Sequence, residues 1–149
     1  MLLTLLLQAA TPVAAPAQPP ATLVVEPVAM AIAAFDSDGN GRTTRAELAA
    51  GVARSFAAID TAHTGSLGYI DFADWSTRWL GDPNALPSPF EVDSDGDNRI
   101  TLAELQAAMA RVFARLDVDR DGIVTRKECL TIRSMAARAP DPRGGKRKR

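Results

Sequence analysis

Apolar side chains recur at Leu48, Val52, Phe56 and Ile59, at spacings of four, four and three, and the stripe repeats at Leu105, Met109, Phe113 and Leu116. These intervals follow a 3.6-residue period, so residues 48–59 and 105–116 are predicted as amphipathic helices. Each segment has 12 residues, which as helix spans about 18 Å. Upstream, the alanine-rich "EPVAMAIAAFD" also suits a helix, and "YIDFADWSTRWL" places Phe72, Trp75 and Trp79 on one face, read here as core packing. Before residue 93 the pattern fails. Pro87 and Pro89 restrict the backbone just ahead of "FEVD", so a short or absent helix is expected there.

The polar positions between these helices are as regular as the apolar ones. Residues 35–60 align without gaps on residues 92–117, with 15 of 26 positions identical at an offset of 57. This internal duplication divides the chain into two halves joined by "LGDPNALPSPFE". Acids stand at alternate positions and are followed by a glutamate: Asp36, Asp38, Asn40 and Glu47 in the first half, and Asp93, Asp95, Asp97 and Glu104 in the second. A further series, Asp117, Asp119, Asp121 and Glu128, begins 24 residues after Asp93. Three such loops with one common spacing argue against chance Asp-rich turns.

These stretches resemble the EF-hand family of calcium-binding helix-loop-helix motifs, in particular the exported EF-hand domain proteins of bacteria, over roughly residues 26–138. The resemblance implies an all-α fold built from two duplicated halves with four loops, one of them degenerate. It also implies a coordination scheme. Calcium is a hard cation that takes six to eight oxygens, and a 12-residue loop supplies them from positions 1, 3 and 5, the backbone carbonyl of 7, a water held by 9, and a bidentate glutamate at 12. The metal ligands implied are Asp36, Asp38, Asn40, the carbonyl of Arg42, and Glu47; Asp93, Asp95, Asp97, the carbonyl of Arg99, and Glu104; and Asp117, Asp119, Asp121, the carbonyl of Ile123, and Glu128. About three calcium ions are expected per chain. Position 6 turns sharply and is Gly41 in the first loop and Gly122 in the fourth; Asn98 holds it in the third, where asparagine tolerates positive φ at modest cost. The first loop has three carboxylates because Asn40 is neutral, against four in each of the others, so it is expected to bind most weakly of the three.

At the same offset, "DTAHTGSLGYID" (residues 60–71) stands where the fourth loop stands in the second half. Ala62 replaces the ligand at position 3, Thr64 offers only a hydroxyl at position 5, and Asp71 is one methylene shorter than glutamate. A degenerate loop kept for architecture is expected. The helix between loops serves both, as exit from one and lead-in to the next, and so holds neighbouring loops apart. Pairing is therefore expected between loops of opposite halves, or between two molecules.

The expected organisation is a signal peptide at 1–17, a Pro/Ala-rich linker at 18–25, a first half at 26–80 with loops 36–47 and 60–71, a Pro-rich linker at 81–89, a second half at 90–138 with loops 93–104 and 117–128, and a basic tail at 139–149. The apolar run at residues 2–10 is nine residues, too short to span a bilayer, and the small residues at 15–17 resemble a secretory cleavage site. A periplasmic or secreted location follows as an expectation.

Charge adds a partition. The net charge is −1, but "RGGKRKR" carries five basic side chains, leaving 12 basic against 18 acidic residues elsewhere, or −6. An acidic body with a basic end suits calcium as ligand and an anionic envelope surface or a protein as possible partner, while nucleic acid is disfavoured. One cysteine excludes an internal disulfide, and one histidine excludes paired-histidine zinc motifs. Cys129 is expected as a small buried hydrophobe and His63 as an exposed loop residue. No nucleophile–base pair or phosphate-binding glycine loop is present, so a binder is expected rather than an enzyme. A structural or buffering role is preferred over a sensor or adaptor, because only Met30, Met109 and Met135 would remain to line a Met-rich groove.

Overall fold

A computed structural model describes residues 22–133. The expected signal peptide and basic tail, and Met135, lie outside the described residues. Residues 23–132 form one compact unit.

The elements run β1 (Thr22–Val25), α1 (Pro27–Ala34), β2 (Arg42–Thr44), α2 (Arg45–Ala57), β3 (Ser66–Gly68), α3 (Tyr69–Leu80), α4 (Pro89–Val92), β4 (Arg99–Thr101), α5 (Leu102–Leu116), β5 (Ile123–Thr125) and β6 (Leu130–Arg133). The all-α expectation is corrected by this order. Three two-stranded pairings, β1 with β6, β2 with β5 and β3 with β4, accompany the five described helices. The reason lies in the loops. Positions 7 to 9 are extended, and their backbone groups need partners, which they find across an antiparallel pair.

The pairing joins opposite halves within one chain. The first loop meets the fourth, with Thr43 opposite Val124, and the degenerate loop meets the third, with Leu67 opposite Ile100. All four of these central side chains are buried. Thr43, the polar member, satisfies its hydroxyl by donating to the Ile32 carbonyl at 3.0 Å, which ties the end of α1 to the first loop.

Helices α2 and α5 start at the loops because position 9 is threonine and position 12 glutamate. Thr44 and Glu47 exchange hydrogen bonds, Glu47 N–H to Thr44 Oγ1 at 3.2 Å and Thr44 N–H to Glu47 Oε2 at 2.9 Å; Thr101 and Glu104 repeat this capping box. Both helices continue to the next loop, and they pack on one another to form the centre of the core. Leu48, Val52, Phe56, Leu105, Met109, Phe113 and Leu116 are buried as the stripe requires, while Ile59 lies just past the end of α2 and is half-buried. Phe72 and Trp75 are fully enclosed, and the Trp75 indole donates to Ser55 Oγ at 2.9 Å, fastening α3 to α2. Trp79 is half-buried against Phe35, with ring centroids 6.2 Å apart.

The third loop is led in by the four residues of α4, the short helix expected from Pro87 and Pro89. The helix-loop-helix reading fails after the fourth loop. Thr125 and Glu128 still form a capping box, but residues 126–129 make a turn and the chain passes into β6. The β-branched Thr131 and Ile132 suit a strand, and "TLVV" of β1 supplies its partner.

Candidate metal centre

All four loops share one backbone trace. Positive φ occurs at position 4, in Gly39, His63, Gly96 and Arg120, and at position 6, in Gly41, Gly65, Asn98 and Gly122. Asn98 takes the left-handed conformation at φ 61°, as its side chain allows. These turns aim successive amides inward at the position-1 carboxylate. Asp36 accepts from the N–H groups of Asn40 (3.1 Å) and Gly41 (2.7 Å), Asp93 from Gly96 (2.7 Å) and Asn98 (2.9 Å), and Asp117 from Gly122 (3.1 Å).

The position-12 glutamate closes each loop. Its Oε2 accepts from position 9 while its Oε1 accepts from the N–H of position 2: Ser37 to Glu47 at 3.0 Å, Ser94 to Glu104 at 2.8 Å, Val118 to Glu128 at 3.1 Å. The backbone donors of Thr44 and Ser37 hold the Glu47 carboxyl at about 2, and those of Thr101 and Ser94 do the same for Glu104. Glu128 is lowered chiefly by the Thr125 amide. Burial raises the Asp36 carboxyl, but the amides of Gly41 and its neighbours outweigh it and leave the group below its ordinary value.

Three clusters of carboxylates result: Asp36, Asp38 and Glu47; Asp93, Asp95 and Glu104; Asp117, Asp119 and Glu128, each with one oxygen per residue within 4.8 Å of the others. The position-5 side chains serve the loop itself. Asn40 accepts from Arg42 N–H at 2.8 Å, Asp97 from Arg99 N–H at 2.7 Å, and Asp121 from Ile123 N–H at 2.8 Å, which places the predicted position-7 residues beside the clusters at the starts of β2, β4 and β5. The donor set is all oxygen, which suits a hard cation. Asp117 Oδ1 is buried without a hydrogen-bond partner among the described residues, an arrangement costly for a carboxylate unless a cation completes it. The residues therefore fit calcium.

The degenerate loop differs atom by atom. Thr64 Oγ1 lies 3.1 Å from Asp60 Oδ1 and 2.7 Å from the Ser66 carbonyl, linking positions 1 and 7 through a protein hydroxyl. Asp71 accepts from Gly68 N–H at 3.1 Å, but its shorter side chain makes no bond to Thr61 at position 2. Exposed His63 sits at position 4, and buried Cys129 has its thiol pushed up by burial, so it packs as a small hydrophobe.

One contact at the third loop is not legible in the sequence. Tyr69, at position 10 of the degenerate loop, donates to Asp93 Oδ2 at 2.8 Å, and that bond is the leading cause of the lowered Asp93 carboxyl. Tyrosine at position 10 carries no signal until the partner loop is known.

Fold and site together define a binder of hard cations, in which paired loops present clustered carboxylates on a helical scaffold. The EF hand family profile matches residues 91–110 and 109–128. The chain is also similar to "Probable calcium-binding protein CML16" of Oryza sativa subsp. japonica, with 34% identity over an alignment that covers 60% of this chain and 67% of the relative. No solved structure matches. The chain belongs to the EF-hand family of calcium-binding proteins.

Proposed function

We propose that the protein is an exported calcium binder of structural or buffering type, which takes three ions through loops 36–47, 93–104 and 117–128. The observation that carries this reading is the recurrence of the same carboxylate cluster in those three loops and its absence from residues 60–71. Bound calcium supplies a divalent charge that offsets repulsion among the carboxylates. The chain's own contribution is to fix those oxygens with inward amides and the capping glutamates.

Support for the structural role comes from the pairing. Each loop is tied to one of the opposite half, and α2 and α5 each have a loop at both ends and pack on one another. Met109 is fully buried. Export rests on the amino-terminal sequence alone, and attachment to an anionic envelope surface on the basic end. The binding chemistry and family favour a non-enzymatic role. Among the described residues no helix is long and apolar enough to cross a membrane.

A second reading, an adaptor for a protein partner, is favoured by a cavity of about 820 Å³ lined by Val28, Leu86, Pro87 and Val112 with Glu91 and Arg111 at hand. Hydrophobic-dye binding and tryptophan emission, measured with and without calcium, separate the two. A structural binder leaves dye fluorescence low in both states; a strong calcium-dependent rise in dye binding would establish the adaptor instead.

A further inference from the structure

Position 10 of one loop lies against position 1 of its partner loop. In the β2–β5 pair, Arg126 Nη2 is 3.6 Å from Asp36 Oδ2, and reciprocally Arg45 Nη2 is 3.7 Å from Asp117 Oδ2. Both carboxylates are buried at 3% side-chain exposure, while the arginines are 70% and 61% exposed. Each arginine runs over the position-6 glycine of the opposite loop. A Cβ on Gly41 would stand 3.8 Å from Arg126 Nε, and one on Gly122 3.9 Å from Arg45 Nε. The Arg45 guanidinium also lies 5.3 Å from the centroid of Phe113, which steadies it. Arg42 adds a third cation to this pair, with Nη2 3.8 Å from Asp121 Oδ2.

The β3–β4 pair is built without this charge. There, position 10 is Tyr69, whose neutral hydroxyl meets Asp93, and Leu102, which has no charge to offer Asp60.

We propose that Arg126 and Arg45 set calcium affinity crosswise: Arg126, carried by the fourth loop, weakens binding at the first, and Arg45, carried by the first, weakens binding at the fourth. This rests on the calcium-binding reading of those two loops. At 3.6 and 3.7 Å the contacts are Coulombic rather than hydrogen-bonded. A guanidinium there neutralises part of a ligand's charge and would repel a divalent ion held by that ligand, and both effects oppose binding. Water around the arginines screens the effect, which limits it to about three- to tenfold per site. Before binding, the same contact relieves repulsion among the clustered acids, so the arginines favour the ion-free loop as well.

The amides of Gly41 and Gly122 donate to Asp36 and Asp117, so each reports its own loop, and Asn98 N–H, which donates to Asp93, reports the third. Calcium titration of the full chain followed by ¹H–¹⁵N NMR tests the proposal with Arg126→Gln, Arg45→Gln and Arg126→Lys. Arg126→Gln is expected to move the Gly41 midpoint to about three- to tenfold lower calcium and leave Asn98 unmoved. Arg45→Gln should do the same for Gly122, and Arg126→Lys should stay near the wild type because it keeps the charge. Midpoints that hold still, rise, or shift only in the mutated residue's own loop overturn the crossed control while leaving calcium binding intact. Gly41 and Gly122 amides silent to calcium in the wild type would overturn both.

Discussion

Glutamate at position 12 does two jobs with one side chain, closing the loop onto position 2 and capping the following segment at position 9. Asp71 retains only the second. Glu128→Gln is therefore expected to weaken calcium binding at least tenfold, about 1.4 kcal/mol, because it removes a charged ligand. Asp71→Asn should leave total binding nearly unchanged. Calorimetric titration of the two variants checks the asymmetry, and equal losses would refute it.

The same hydrogen bonds predict acid behaviour. Glu47 and Glu104 are held at about 2, below their ordinary 4.5, by the amides of Thr44 and Ser37 and of Thr101 and Ser94. A depressed carboxyl contributes stability that is present above its unfolded value and lost as pH falls through its folded one. For chelator-treated protein the melting temperature should decline from about pH 4.5 and keep falling towards about pH 2. A melting temperature that does not change over that window contradicts the assignment.

Among the helices, α2 contains a position where shape outweighs propensity. A Cβ on Gly51 would lie 2.3 Å from Phe35 Cγ and 2.7 Å from its Cβ, near the root of a buried ring that also meets Trp79. Alanine gains up to about 1 kcal/mol over glycine inside a helix. Overpacking here costs about 1–3 kcal/mol, so Gly51→Ala is expected to lower stability on balance. Urea unfolding measures it; a stabilised variant would show that Phe35 moves aside freely.

The helices were legible in the sequence because their burial follows a long period: apart from half-buried Ile59, the stripes at Leu48 and Leu105 lie buried as read. The loops were legible because coordination chemistry fixes residue type at many positions. The strands were not, since three residues such as Arg42–Thr44 carry too little pattern to distinguish from loop. Nor was the departure into β6, where the family resemblance implied an exiting helix and the pairing with β1, distant in sequence, prevailed.

Across the whole molecule, the duplicated halves are interlocked rather than side by side. The first loop pairs with the fourth and the second with the third, which matches the expectation that a shared helix keeps neighbours apart. Pairing also explains why a degenerate loop persists. Leu67 fills the core opposite Ile100, and Tyr69 holds Asp93, so residues 60–71 support a neighbouring cluster without a complete cluster of their own. What could not be read from one sequence was which residues meet across the pairs, because contacts such as Arg126 with Asp36 join positions 90 residues apart.

The central claim is that the first, third and fourth loops bind calcium and residues 60–71 do not. Isothermal titration of calcium into the chelator-treated 149-residue chain measures this directly. Three ions per chain are predicted, with the same total for Asp71→Asn; a total of zero or one, or a fourth ion lost with Asp71→Asn, would contradict it.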